Sequence, residues 1–145
     1  MPNISIVIPV RNEEKNIENI VKKIDITLND AHLSYEIIIV DDHSTDKTYS
    51  ISKKLSKIYS VQYFQKKGTS GKGYSILEGA DNAQSDIICM IDADLQYNPK
   101  HIPEMYNKLV KNDTVGVVIA ERKIYKTSLM RKLGSKMNAL FIGKL

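Results

Sequence analysis

Short, almost continuous apolar runs alternate along this chain with longer segments whose apolar residues recur every three or four positions. The runs at residues 4–9, 35–40, 61–64, 87–91 and 114–120 have the length of strands. A strand that is apolar at consecutive positions buries both faces, which marks a parallel sheet covered by helices on each side. The segments between them supply those helices. Ile17, Ile20, Val21, Ile24 and Leu28 share one helical face, and Ile51, Leu55 and Ile58 a second. Ile76, Leu77 and Ala80 make a third face, and Pro99 opens a further helix to about residue 111. Right-handed crossovers then give a doubly wound, mostly parallel α/β domain with helices on both faces.

A chain of 145 residues can bury one core. With 42% hydrophobic and 26% charged residues its composition is that of a globular domain. The one cysteine, Cys89, lies inside the fourth apolar run. Disulfide scaffolds and cysteine zinc sites are thereby excluded, and the thiol is expected to act as a small buried hydrophobe. The first apolar run is too short for a signal peptide and no basic region precedes it. No run approaches the ~18 apolar residues of a membrane span.

The net charge of +4 is unevenly spread: residues 121–145 hold seven Lys/Arg against one Glu, while residues 1–120 are slightly acidic. The expected division is therefore an α/β domain over 1–120 and a basic, amphipathic segment over 121–145. In the latter, Leu129, Met130, Leu133, Met137, Leu140 and Phe141 recur at helical spacing. Such a segment suits an anionic partner or a membrane surface, or equally a core-facing helix with a solvated basic side. A nucleic-acid partner is not expected, because the charge is confined to this segment and no aromatic stacking platform accompanies it.

In doubly wound sheets, ligands bind beyond the carboxyl ends of the strands, near the switch in strand order. Four polar segments fall there: Pro9-Val10-Arg11-Asn12-Glu13-Glu14, Asp41-Asp42-His43-Ser44-Thr45-Asp46, Lys67-Gly68-Thr69-Ser70-Gly71-Lys72-Gly73, and Asp92-Ala93-Asp94-Leu95-Gln96. If the chain stays extended, Asp92, Asp94 and Gln96 point the same way. Two adjacent carboxylates repel each other and are costly to desolvate. A hard divalent cation, Mg²⁺ or Mn²⁺, offsets that repulsion and recruits a diphosphate. Asp46 is the expected helix cap of the second segment, with Ser44 as an alternative, and Asp41 the expected nucleotide contact. The stretch Gly68-Thr-Ser-Gly-Lys-Gly73 is not a P-loop: it lacks the leading glycine and the Ser/Thr after lysine, and it follows the third strand. Lys72 either touches a diphosphate or belongs to a tight turn.

Together these segments resemble the inverting nucleotide-sugar glycosyltransferases of family 2, which have the GT-A fold. The resemblance rests on Ile-Val-Ile-Pro-Val-Arg-Asn-Glu-Glu (6–14), Glu-Ile-Ile-Ile-Val-Asp-Asp-His-Ser-Thr-Asp (36–46), Gly71-Lys72-Gly73 with Gly79, and Met-Ile-Asp-Ala-Asp-Leu-Gln (90–96). The Asp-Ala-Asp-Leu-Gln form is similar to the subgroup that transfers sugars to polyprenyl phosphates. Arg122-Lys123, Ser128, Arg131-Lys132, Ser135 and Asn138 are similar to its basic segment.

The resemblance implies that Pro9, Asn12, Glu13 and Asp41 hold the nucleoside of a UDP- or GDP-sugar. It implies that Asp92, Asp94 and Gln96 serve metal and diphosphate, and that Arg122 and Arg131 face the phosphates. It also implies that the chain is the N-terminal part of a longer protein working at the cytoplasmic face of a membrane. The family often has Gly where His43 stands, which implies a different turn there. A polyprenyl-phosphate acceptor is already ionised near neutral pH, since its second pKa is near ~6, so no general base is required. The alternatives are a binding fragment without turnover and transfer to a sugar hydroxyl.

Overall fold

The computed structural model describes residues 1–112 and 114–120. Strands β1 (Ile4–Val10), β2 (Tyr35–Asp41), β3 (Val61–Gln65) and β4 (Ile88–Met90) form one sheet in the order β3-β2-β1-β4. All three pairings are parallel, with Ile4 opposite Tyr35, Ile37 opposite Val61 and Ser5 opposite Ile88. The chain runs outward from β1 to β3 and then returns to the other side of β1. The switch in strand order therefore lies between β1 and β4.

Helices α1 (Ile17–Asp30), α2 (Thr48–Leu55) and α4 (Ile102–Val110, preceded by a 3₁₀ turn over Pro99–His101) cover one face, and α3 (Lys72–Asp81) covers the other. Alternate residues of the central strands serve the two layers. Ile6, Ile8, Ile37 and Ile39 pack with Ile17, Ile20, Val21, Ile24 and Leu28, while Val7, Ile38 and Val40 form the core on the α3 side. The doubly wound α/β architecture expected from the strand pattern is thus present.

Three local expectations fail for identifiable reasons. Leu77 and Ile58 are 62% and 72% exposed. In α3 the residues that bury are Ser75 and Gly79, because the helix lies so close to the sheet that only small side chains fit beneath it. Helix α2 ends at Leu55, so Ile58 falls beyond its apolar face. Residues 114–120 form no strand. A strand needs a ladder, and β4 is hydrogen-bonded on its β1 side alone among the described residues. A cavity of about 600 Å³, lined by Ile88, Met90, Met105, Leu109, Val117 and Ile119 among others, lies between that edge and residues 116–120. Accordingly Ile88 and Met90 remain about half exposed, not buried on both faces. The basic segment, with Arg122 and Arg131, lies outside the described residues.

Candidate functional site

The loops after β1 and β2 are stitched into one unit. Asn12 adopts a left-handed backbone (φ 56°). Its Oδ1 accepts from the Thr45 N–H at 2.8 Å, and its own N–H donates to Ser44 Oγ at 2.9 Å. The Glu13 N–H donates to Thr48 Oγ1 and the Glu14 N–H to Asp46 Oδ2. Asp46 also accepts from the Thr48 N–H at 2.9 Å, but the residue that caps α2 is Lys47, without a side-chain cap bond, and Ser44 is used in the stitching. Burial alone would raise the Asp46 carboxyl, but these donors outweigh it and hold the group below the usual carboxylate range. Pro9 is half-buried within β1, between buried Ile8 and Val10. The Glu13 carboxylate is occupied by the Asn16 amide at 2.8 Å.

Asp41 is 1% exposed at the end of β2. Its Oδ1 accepts from the Ser44 N–H at 2.8 Å and its Oδ2 from the Tyr63 hydroxyl at 2.7 Å. Burial and this carboxylate push the Tyr63 hydroxyl well above its ordinary pKa. His43 has φ 64°, a left-handed backbone that favours glycine.

Asp42, which the sequence left without a role of its own, organises the next loop. Its Oδ2 accepts from the Gly71 N–H at 2.7 Å and the Ser70 hydroxyl at 2.9 Å. Its Oδ1 lies 2.9 Å from His43 Nδ1 and 3.5 Å from Lys66 Nζ. Burial opposes the charge, but the Gly71, His43 and Ser70 donors and the Lys66 ammonium hold the carboxyl well below the usual range. Lys66 is itself buried and donates to the Gly71 carbonyl at 3.2 Å. The glycine-rich loop therefore folds onto a carboxylate, which bears out the rejection of a P-loop. A lysine directly after β3 and a second aspartate after β2 were the available signals for this pair.

Beyond β4 the chain alternates: Ile91 and Ala93 are buried, Asp92 is partly exposed and Asp94 is exposed. The chain turns at residues 93–94 and does not stay extended, and Leu95 takes a left-handed backbone (φ 58°) with its side chain against the core. Asp94 Oδ1 accepts from the Gln96 N–H at 3.0 Å. Lys72, the first residue of α3, reaches across the switch point, with its Nζ 2.6 Å and 2.8 Å from the two oxygens of Asp92. Two outward carboxylates and an amide oxygen are donors that suit a hard divalent cation. The ammonium already in contact with Asp92 shows that this corner attracts positive charge. Among the described residues no cluster of three His, Cys, Asp or Glu could enclose a metal, so phosphate oxygens and water would have to complete its shell. Cys89 is partly buried, and that burial pushes its thiol up to about 11, which disfavours the thiolate.

The strand ends thus bring Asn12, Glu13, Asp41, Lys72, Asp92 and Asp94 to one edge of the sheet. The family model described as "Glycosyl transferase family 2" matches residues 5–142. A dolichol-phosphate mannosyltransferase of Pyrococcus furiosus is 30% identical over 145 residues, covering 98% of this chain and 40% of that protein. An undecaprenyl-phosphate 4-deoxy-4-formamido-L-arabinose transferase of Pectobacterium carotovorum subsp. carotovorum is 34% identical over 140 residues, covering 92% of this chain and 41% of that protein. The crystal structure of glucosyl-3-phosphoglycerate synthase from Mycobacterium tuberculosis with UDP superposes with a TM-score of 0.64 at 25% identity. That match covers 77% of this chain and 41% of the synthase. The chain spans about two-fifths of the length of each of these proteins.

Proposed function

The chain belongs to glycosyl transferase family 2, and from that premise we propose that its strand-end crevice binds a nucleoside-diphosphate sugar together with Mg²⁺ or Mn²⁺. In this reading the whole protein transfers the sugar, with inversion, to a polyprenyl phosphate. The observation that carries the donor site is the contact of Lys72 with Asp92, close to Asp94, at the switch point between β1 and β4, with Asp41 ending β2 on the same edge of the sheet. Asp41 holds the base or ribose through its remaining lone pairs, beside Pro9, Asn12 and Glu13. Lys72 faces the diphosphate. Asp92, Asp94 and Gln96 hold the cation, which supplies charge stabilisation for the departing nucleoside diphosphate.

The acceptor side rests on the two relatives named for dolichol phosphate and undecaprenyl phosphate. It rests also on the basic segment, in which Arg122 and Arg131 offset repulsion between the acceptor phosphate and the donor. A phosphate acceptor is its own nucleophile near neutral pH and needs no general base. In this reading the protein works at the cytoplasmic face of a membrane. Calorimetric titration with UDP and GDP, each with and without Mn²⁺, tests the donor site. Binding of one nucleotide that depends on Mn²⁺ and weakens at least tenfold in Asp94→Asn is expected. Binding indifferent to both metal and substitution overturns the reading.

A further inference from the structure

Lys72 stands where a helix-stability argument would not put it. A cation in the first turn of α3 opposes the helix dipole. Its backbone is nonetheless held firmly, since Gly71 donates its N–H to Asp42 and accepts from Lys66, both of which are buried. The Lys72 side chain is 54% exposed and its ammonium contacts both oxygens of Asp92, whose side chain is 31% exposed. An exposed ion pair of this kind is weak and its long lysine stem is free to turn. A firmly anchored backbone, a mobile stem and a weak partner make an arm that can exchange one anion for another without moving the sheet.

We propose that Lys72 is a resident counter-ion that neutralises Asp92 in the donor-free protein, and that it transfers to the diphosphate when donor and cation arrive together. The proposal rests on the reading of Asp92 and Asp94 as the cation site. Before the donor binds, the ammonium competes with a divalent cation for the Asp92 oxygens. Afterwards the diphosphate brings its own negative charge, Lys72 pairs with that, and Asp92 is released to the cation. Lys72 thus disfavours loading of metal alone and favours loading of metal with nucleotide, so the two bind as a unit.

The test is titration of Mn²⁺ alone, followed by electron paramagnetic resonance of the free ion, and titration of UDP and GDP at saturating Mn²⁺. Wild type, Lys72→Met, Lys72→Arg and Asp94→Asn are compared. Removing a weak competing pair should strengthen binding of Mn²⁺ alone roughly two- to fivefold in Lys72→Met. It should weaken nucleotide binding at saturating Mn²⁺, while Lys72→Arg stays near wild type in both. A Lys72→Met variant that binds Mn²⁺ alone no better than wild type, while Asp94→Asn still abolishes that binding, overturns the exchange and leaves the cation site standing. Binding of Mn²⁺ alone that is absent from, or equal in, all four proteins overturns the exchange, and nucleotide binding indifferent to Mn²⁺ in all four overturns the cation site with it. A purely structural Lys72 would weaken both ligands together and lower the unfolding temperature.

Discussion

The Asp42 carboxylate receives the Gly71, Ser70 and His43 donors and lies beside the Lys66 ammonium; Asp42 and Lys66 are buried, while Ser70 and His43 reach solvent. Asn at this position keeps one oxygen but turns an NH₂ toward groups that donate. Asp42→Asn should therefore lower stability by about 1–3 kcal/mol at neutral pH, measured by urea unfolding. The carboxyl is held below its unfolded-state pKa of about 4. Its contribution is complete above that value and is lost as pH falls further toward the folded-state pKa. The gap between wild type and variant should accordingly narrow below about pH 4, and a gap of constant size across acid pH would rule out the charge as its source. At this scale the sequence was only partly legible. Asp41 and Asp42 are neighbours with identical chemistry, and only their partners separate one at the β2 end from one that clamps a loop 28 residues away. Asn12 and His43 carry left-handed backbones for which single residues outside glycine give little sign.

Helix α3 is held to the sheet through what it lacks. A Cβ added to Gly79 would lie 2.4 Å from Val7 Cγ1 and 3.3 Å from Val40 Cγ2. Alanine is preferred to glycine inside a helix by about 1 kcal/mol, but forcing a methyl into a filled core costs about 1–3 kcal/mol. With Val7 fully buried and unable to yield, the second effect wins. Gly79→Ala should destabilise the domain, and Val7→Ala in the same chain should recover part of the loss, since the two side chains then share the space. Additive losses in that double-mutant cycle would show that the contact is not the cause. The same close approach explains why periodicity misplaced Leu77: the sheet-facing side of α3 is marked by small residues, Ser75 and Gly79, and a search for large apolar ones passes over it. The buried face of helix α1, all Ile, Val and Leu, was legible in full, though not the helix's ends. The apolar alternation of residues 114–120 carried no information on whether a ladder partner stands within reach.

At the scale of the molecule, the order β3-β2-β1-β4 puts the switch point between β1 and β4, where Lys72 meets Asp92, while the loop after β2 bonds the loop after β1 on the same edge of the sheet. That the ends of parallel strands share one edge follows from alternation and crossover handedness alone, which is why that edge was readable while its internal bonding was not. The acidic balance of residues 1–120 against the basic balance of residues 121–145 separates the charges along the chain. An anionic bilayer attracts juxtamembrane Lys and Arg at about 1 kcal/mol each, within a screening length of about 8 Å at physiological salt. If the basic segment is the membrane-facing part of the protein, Lys136→Glu together with Lys144→Glu reverses two such charges. Flotation with liposomes containing phosphatidylserine should then weaken by at least tenfold, as it should for wild type at 1 M salt. Nucleotide titrations on the same variant should match wild type, because neither lysine is assigned to the donor crevice or to the acceptor phosphate. Flotation unchanged by both substitution and salt would mean that the charge of this segment is not what meets the membrane. The acceptor assignment would then rest on Arg122 and Arg131 without a bilayer contact to support it.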